Sequence, residues 1–559
     1  MDRRSFLKSS TRAAAAGIIG GPLIQGCARS QPFDLLIQNG LIYDGLGGPP
    51  TAADIGIRGG YIASIGKLGS PRGGLVIDAR GQAVCPGFID VHDHSDLGLL
   101  ANPNAESAVH QGITTLVSGQ CGSSPFPVAA ATLGEQKENA RKSYGVDWDW
   151  NDMPGFLARL EKQGVAVNYA TLVGNGPIRS AVVGLDDRAA TPAEIERMRT
   201  LVAEHLLSGA FGLSSGLEYQ PSGFARPDEI TELCRVVAEF SGVYATHMRD
   251  EGDGLLESLD ESVAAARASG VKLQISHFKA AYIRNWAKLG AALAKLEQVR
   301  REGVDVFCDR YPYIAASTGL SFYFPKWTKE GTTEDFLSRL KDPALEARIR
   351  AHVDEQREKL GSWANVVISS VASDKNRRLQ GLDIARAAQA AGLDPYVFMK
   401  NLILEERDQV GMVTFIMNED NLKRILAHPL VGVGCDGSAV APYGILSRDK
   451  PHPRSYGTFP RTLGRYVREE KLLPLEAMIR KITSVPAARF GFAGRGALKA
   501  GYHADLVVFD PEKIEDRATF TDPHRYPDGI RCVIVNGRVT VADNRHTGEL
   551  AGQVLRRGA

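Results

Sequence analysis

The sequence predicts an α/β fold. It reads as a TIM-like (β/α)8 barrel with a small β-sandwich, built from the N- and C-terminal segments, and one inserted subdomain. Three observations predict it. Eight short apolar runs alternate with helical stretches between residues 86 and 490, the pattern of a parallel sheet with crossover helices. Both flanks of that region read as strands alone. No Gly-rich phosphate loop follows the first apolar run, as an open doubly wound sheet would require.

The first 30 residues stand outside this fold. "RRSFLK" begins at Arg3 and Arg4, and the apolar "AAAAGIIGGPLIQG" then runs up to Cys27. This is a basic segment followed by an apolar one too short to span a bilayer. It resembles a twin-arginine export signal. "LIQGC" resembles a lipoprotein cleavage box with Cys27 as the lipidated residue; the alternative is a plain export signal cut near residue 30. The expected location is extracytoplasmic, either periplasmic or as a lipoprotein on the membrane. The only membrane link expected is a lipid anchor at Cys27.

Residues 31–85 form the first part of the sandwich. "LLIQNGLIYDG" and "IGIRGGYIASIG" each place apolar runs around Asn-Gly or Gly-Gly, which supply the positive φ of a tight hairpin. Residues 491–559 form the second part, through "ADLVVFD" and "CVIVNGRVTVAD". The barrel strands between them are "GFIDVHDH", "TTLVSGQC", "VNYATLVGN", "FGLSSGLEY", "VYATHM", "KLQISHFK", "VDVFCDRYPY" and "LVGVGCDG". "TPAEIERMRTLVAEHLLSG" is a helix with Thr191 as N-cap, Pro192 in the first turn and Glu194 closing a capping box. Residues 314–365 are too long for one strand-to-helix connection and predict the inserted subdomain.

Composition narrows the function. Lys plus Arg number 66 against 65 Asp plus Glu, so no electrostatic footprint for nucleic acid exists. Seven cysteines, at 27, 85, 121, 234, 308, 435 and 532, are too sparse for a disulfide scaffold. No sequence feature addresses the oligomeric state.

The chemistry gathers at strand ends. In "FIDVHDHSD", His92 and His94 would share one face of an extended strand, as would Asp90 and Asp96. The C-terminal ends of barrel strands converge on one mouth. There the sequence sets His92 and His94, Cys121, Tyr219, His247, His277 and Asp436. Any one of them has a plain structural explanation. Six metal-compatible groups at one end are harder to dismiss, and a mixture of N, S and O donors suits zinc. Lys279 and Arg249 each lie two residues past a histidine and would share its face if the strands stay extended. Arg249 has the alternative of pairing with Asp250 or Glu251. Asp96 either orients a histidine or caps a helix.

These residues carry a resemblance. Residues 31–559 resemble the amidohydrolase superfamily, and within it the D-aminoacylase group of N-acyl-D-amino-acid deacylases. The motifs are "PGFIDVHDHSD", "GQCG", "GLEYQPS", "THMRDEG", "SHFK", "YPYIAAST", "GCDGSA" and "HPRSYGTFPR". Many relatives bridge two metals with a carboxylated lysine, whereas this group has a cysteine there, matched by Cys121. Gln120 departs from the Asn frequent in the group. The resemblance implies a tight zinc on Cys121, His247 and His277. It implies a second site, weak or vacant, on His92, His94 and Asp436. It implies that Tyr219, Lys279 and Arg454 hold the carboxylate of a small N-acyl amino acid, and that Asp436 acts as catalytic base. The implied activity is zinc-dependent hydrolysis of N-acyl-D-amino acids. Alternatives are a cyclic-amide hydrolase of dihydroorotase or hydantoinase type, against which Cys121 argues, and a lipoprotein that only binds metal or ligand. Asp436 argues against the second, because a binder needs no base beside an open metal.

Overall fold

The computed structural model describes residues 33–69 and 74–558. The export signal and Cys27 lie outside the described residues. Eight parallel strands form the barrel: Phe88–Asp90, Ile113–Ser118, the broken third strand Asn168–Thr171 and Val173–Gly174, Gly212–Gly216, Val243–His247, Lys272–Ile275, Val306–Arg310 and Val431–Val433. They pair in sequence order. The ring closes where Asp436 N–H donates to His92 O at 2.7 Å and His94 N–H to Gly437 O at 2.8 Å. All eight expected strands are present.

Period-2 alternation decides what each strand faces. On the fifth strand, Val243 and Ala245 pack with Ile89, Val117 and Ala170, while Tyr244 joins the larger core shared with the helices. Helix Pro192–Leu207 starts as its sequence dictates: Thr191 caps Glu194 N–H, and the Glu194 carboxylate returns to Thr191.

The two chain ends build a single nine-stranded sheet. Strand Ala83–Pro86 pairs antiparallel with Leu506–Phe509, joining the N-terminal half to the C-terminal half. Here too alternation divides the residues. Val84, Leu506 and Val508 face a small separate core, and Cys85, Val507 and Phe509 face the barrel's own. Gly59-Gly60 and Asn536-Gly537 are hairpin turns with φ of 58°, 84°, 45° and 78°. Asn39-Gly40 is not, which corrects the sequence reading. Strand Leu35–Ile42 runs straight through it, with a bulge between Ile37 and Gly40. Only Asn39 takes positive φ, at 59°, whereas a type I′ turn needs two such residues. Gly40 is there for close approach: a Cβ would stand 2.6 Å from Val84 Cγ2.

The inserted unit reaches well past residue 365. It holds an antiparallel sheet of Ala315–Gly319, Val410–Phe415 and Val366–Val371, with Val410–Phe415 in the centre. Four helices cover the sheet, between Thr333 and Glu406. A separate core runs from Leu320 to Met412. Among the described residues all six cysteines are free thiols, and no helix is long and apolar enough to cross a membrane.

Candidate metal centre and active site

The donors meet at the mouth of the barrel. The backbone leaves the strands before most of them. The first strand ends at Asp90 and the sixth at Ile275, so strand alternation does not aim His92, His94 or His277. Left-handed kinks take its place. Cys121, His277 and Asp436 have φ of 51°, 37° and 51°, a region that costs a non-glycine residue energy and that clusters at functional sites.

Two donor sets that contain Cys121 result, each with its ligand atoms within 4.8 Å of one another. One is Cys121, His247 and His277; the other is His92, His94, Cys121 and Asp436. Cys121 belongs to both. Its Sγ lies 3.3 Å from His92 Nε2 and 3.5 Å from His277 Nε2. Asp436 Oδ1 lies 3.1 Å from His94 Nε2 and 3.4 Å from His92 Nε2.

The electrostatics suit a cation. Burial alone would raise the Cys121 thiol, but His92 and His277 hold it well below its ordinary value. Burial would lower His94 and His247; instead Asp436 and Cys121 bring His94 up to about 10, and Glu251, Cys121 and Glu218 bring His247 up to about 10. Burial opposes Asp436's ionisation, yet Arg454 and His92 keep its pKa well below the usual carboxylate range. A thiolate among imidazoliums is a set that a divalent ion can take over by displacing protons. The N, S and O donors match zinc chemistry.

Behind the donors stands a layer of carboxylates that the sequence reading missed. Asp309 Oδ1 meets His92 Nδ1 at 3.0 Å and accepts His277 N–H at 2.7 Å. Glu251 Oε1 lies 2.9 Å from His277 Nδ1. Glu218 Oε2 lies 2.9 Å from His247 Nε2. Outer partners of this kind fix ring orientation and ligand basicity. Asp309 is the next-to-last residue of the seventh strand, which ends at Arg310.

A cavity of about 580 Å³ opens over the donors, walled by barrel loops and by Thr318, Phe322 and Lys329 of the insertion. Tyr219, Lys279 and Arg454 all line it. The Tyr219 ring packs edge-on to His247 at 4.8 Å. Lys279 is buried; its ammonium pairs with Glu251 and lies 2.9 Å from His277 Nδ1. Arg454 Nη1 lies 2.8 Å from Asp436 Oδ2, with the guanidinium over the Tyr311 ring.

Two sequence readings are corrected. Arg249 neither enters the cavity nor pairs with Asp250 or Glu251. It forms a two-point pair with Glu261 and donates to the carbonyls of Gly223 and Ala225. Asp96 neither orients a histidine nor caps a helix. Ser95 holds the cap position, and Asp96, in the first turn, accepts from the Tyr169 hydroxyl and from Gly119 N–H. A carboxylate is favourable at a helix start for its own electrostatic reasons.

Comparison with known proteins places the chain in a family. The amidohydrolase family matches residues 75–541. A D-aminoacylase of Alcaligenes xylosoxydans xylosoxydans is 37% identical over 530 residues, covering 95% of this chain and 99% of that one. The solved N-acyl-D-glutamate deacylase of Bordetella bronchiseptica superposes with a TM-score of 0.80 at 35% identity, over 94% of this chain and 100% of its own. It was solved with zinc and a phosphonate that mimics the tetrahedral intermediate. A solved D-aminoacylase, described as activated by one metal and attenuated by a second, gives a TM-score of 0.79 at 35% identity, over 94% of this chain and 100% of its own.

Proposed function

The chain belongs to the amidohydrolase family, and from that premise we propose that it hydrolyses N-acyl-D-amino acids to a carboxylate and a free D-amino acid. The observation that carries the proposal is Asp436. Its carboxylate sits at the cavity, 3.1 Å from one imidazole and 3.4 Å from another, beside a thiolate shared by two donor sets. A protein that only held metal or ligand has no use for a base at that point.

The proposed ion is zinc, held tightly by Cys121, His247 and His277. His92, His94 and Asp436 make a second site that is weak or vacant. Bound zinc supplies Lewis acidity, polarising the scissile carbonyl and acidifying water. Asp436 accepts the proton of the attacking water and returns it to the leaving nitrogen. Without that proton the amine is a very poor leaving group. Arg454 keeps the carboxylate ionised, ready for the first transfer. The substrate's α-carboxylate is assigned to Lys279, Arg454 and Tyr219. Both cations are already paired with acids, Glu251 and Asp436, so an entering carboxylate joins a charge network rather than a bare cation.

Release of amine from N-acetyl-D-methionine by the zinc-loaded protein tests the reading, with the L-enantiomer as control. No amine from any N-acyl-D-amino acid would sink it. We also propose that the protein works outside the cytoplasm, delivered by the twin-arginine signal and anchored through Cys27.

A further inference from the structure

Each buried imidazole of the centre has two ring nitrogens, and the structure shows what each one meets. His92 turns Nε2 to Cys121 Sγ at 3.3 Å and Nδ1 to Asp309 at 3.0 Å. His277 turns Nε2 to Cys121 Sγ at 3.5 Å and Nδ1 to both Glu251 Oε1 and Lys279 Nζ, each at 2.9 Å. His247 differs. Its Nε2 meets carboxylates, Glu218 Oε2 at 2.9 Å and Glu251 Oε2 at 3.8 Å. With Nε2 engaged by Glu218, Nδ1 is the nitrogen left for an ion.

We infer that Glu218 is the positioning residue of His247: its carboxylate accepts a hydrogen bond from Nε2–H, so that the ring offers Nδ1 to the metal. The inference rests on the proposed metal site of Cys121, His247 and His277. The edge-on Tyr219 ring at 4.8 Å holds the same imidazole from the side. Glu218 and Tyr219 are neighbours in the chain, so one short segment after the fourth strand fixes both the tilt and the tautomer of His247. Glu218 completes a pattern of one carboxylate behind each of the three buried imidazoles of the centre, His92, His247 and His277. It differs from Asp309 in place. Asp309 is buried beneath the centre, whereas Glu218 lines the cavity and is 16% exposed. The competing reading is that Glu218 is itself a ligand, since Glu218, His247 and Glu251 also gather their donor atoms within 4.8 Å.

The test uses the full chain stripped of metal. Zinc affinity is measured by competition with a chromophoric chelator, and cobalt(II) replaces zinc for visible spectroscopy. Loss of an outer partner typically weakens metal binding by roughly 10- to 100-fold. Glu218→Ala is expected to fall in that range. Glu218→Gln, which keeps an acceptor but not the charge, is expected to lose about 10-fold, the lower end of the same range. The cobalt spectrum of Glu218→Gln should keep the wild-type band positions and intensity, because the ligand set is unchanged. Wild-type affinity in either variant would overturn the positioning role. A changed cobalt coordination number in Glu218→Gln would overturn it in favour of direct ligation. Wild-type protein that binds no zinc would instead strike the proposed metal site itself, whatever the variants do.

Discussion

Asp436 answers to two partners at once. Its Oδ1 faces the imidazoles and its Oδ2 faces Arg454. Asp436→Asn keeps the volume and removes the base. Turnover should fall at least ~100-fold, the lower end for general acid–base catalysis, while zinc on Cys121, His247 and His277 stays. Near wild-type kcat in that variant would defeat the mechanism. Cys121 belongs to both donor sets, so Cys121→Ala should strip the bound zinc outright; elemental analysis showing full zinc would remove the thiolate from the site. Arg454 is testable by substrate charge. Removing one partner of a buried charge pair costs about 3 to 5 kcal/mol, roughly 10² to 5 × 10³ in kcat/KM when the pair persists in the transition state. Arg454→Ala should therefore narrow the preference for an N-acetyl-D-amino acid over its amide. An unchanged acid-to-amide ratio would leave Arg454 as a brace for Asp436 alone. At this scale the donors were legible because a barrel gathers strand ends, and a His, Cys or Asp after an apolar run stands out. The outer carboxylates were not. Glu218 and Glu251 lie in loops whose paths no periodicity encodes, and Asp309 looks like any acid at a strand end.

Helix Pro192–Leu207 shows how far local chemistry alone can go. Its capping box was readable from four residues and forms as read. Replacing an N-cap threonine with alanine typically costs about 1 kcal/mol. Thr191→Ala should lower the urea midpoint modestly and leave kcat/KM unchanged, since the cap is on the surface and touches no donor. A loss of activity at unchanged stability would show a link between this helix and the mouth that the packing does not contain. Elements whose form depends on distant partners were harder to read. Asn39-Gly40 has the chemistry of a turn, but strand Thr51–Arg58 pairs on both sides of it, with Leu75–Asp78 pairing before it and Ala83–Pro86 after it, and it becomes a bulge. The inserted unit outran its expected end for a similar reason. Its central strand, Val410–Phe415, follows some 90 residues after the first, and only the assembled sheet reveals that the two belong together.

Across the whole molecule, the placement of the thiolate bears on how the protein is delivered. Cys121 is the one described cysteine that is not fully buried, and it opens onto the cavity. Outside the cytosol such a thiolate is at risk of oxidation. Two units of the fold also have to be complete before the centre exists. The barrel supplies the donors, and the insertion, with its own core, walls the cavity over them. A route that carries a folded chain would let the metal be loaded first and travel with the thiolate already engaged, which is the physical argument for the twin-arginine route proposed from Arg3 and Arg4. Changing both to lysine should leave a folded, zinc-containing protein in the cytoplasm, assayed by fractionation and by metal content. Export at the wild-type level would reject the route. Cys27→Ala should be exported yet recovered in the soluble extracytoplasmic fraction, because a lipid chain on that cysteine is the only membrane attachment proposed. Membrane association that survives the substitution would reject the anchor and leave the zinc chemistry untouched.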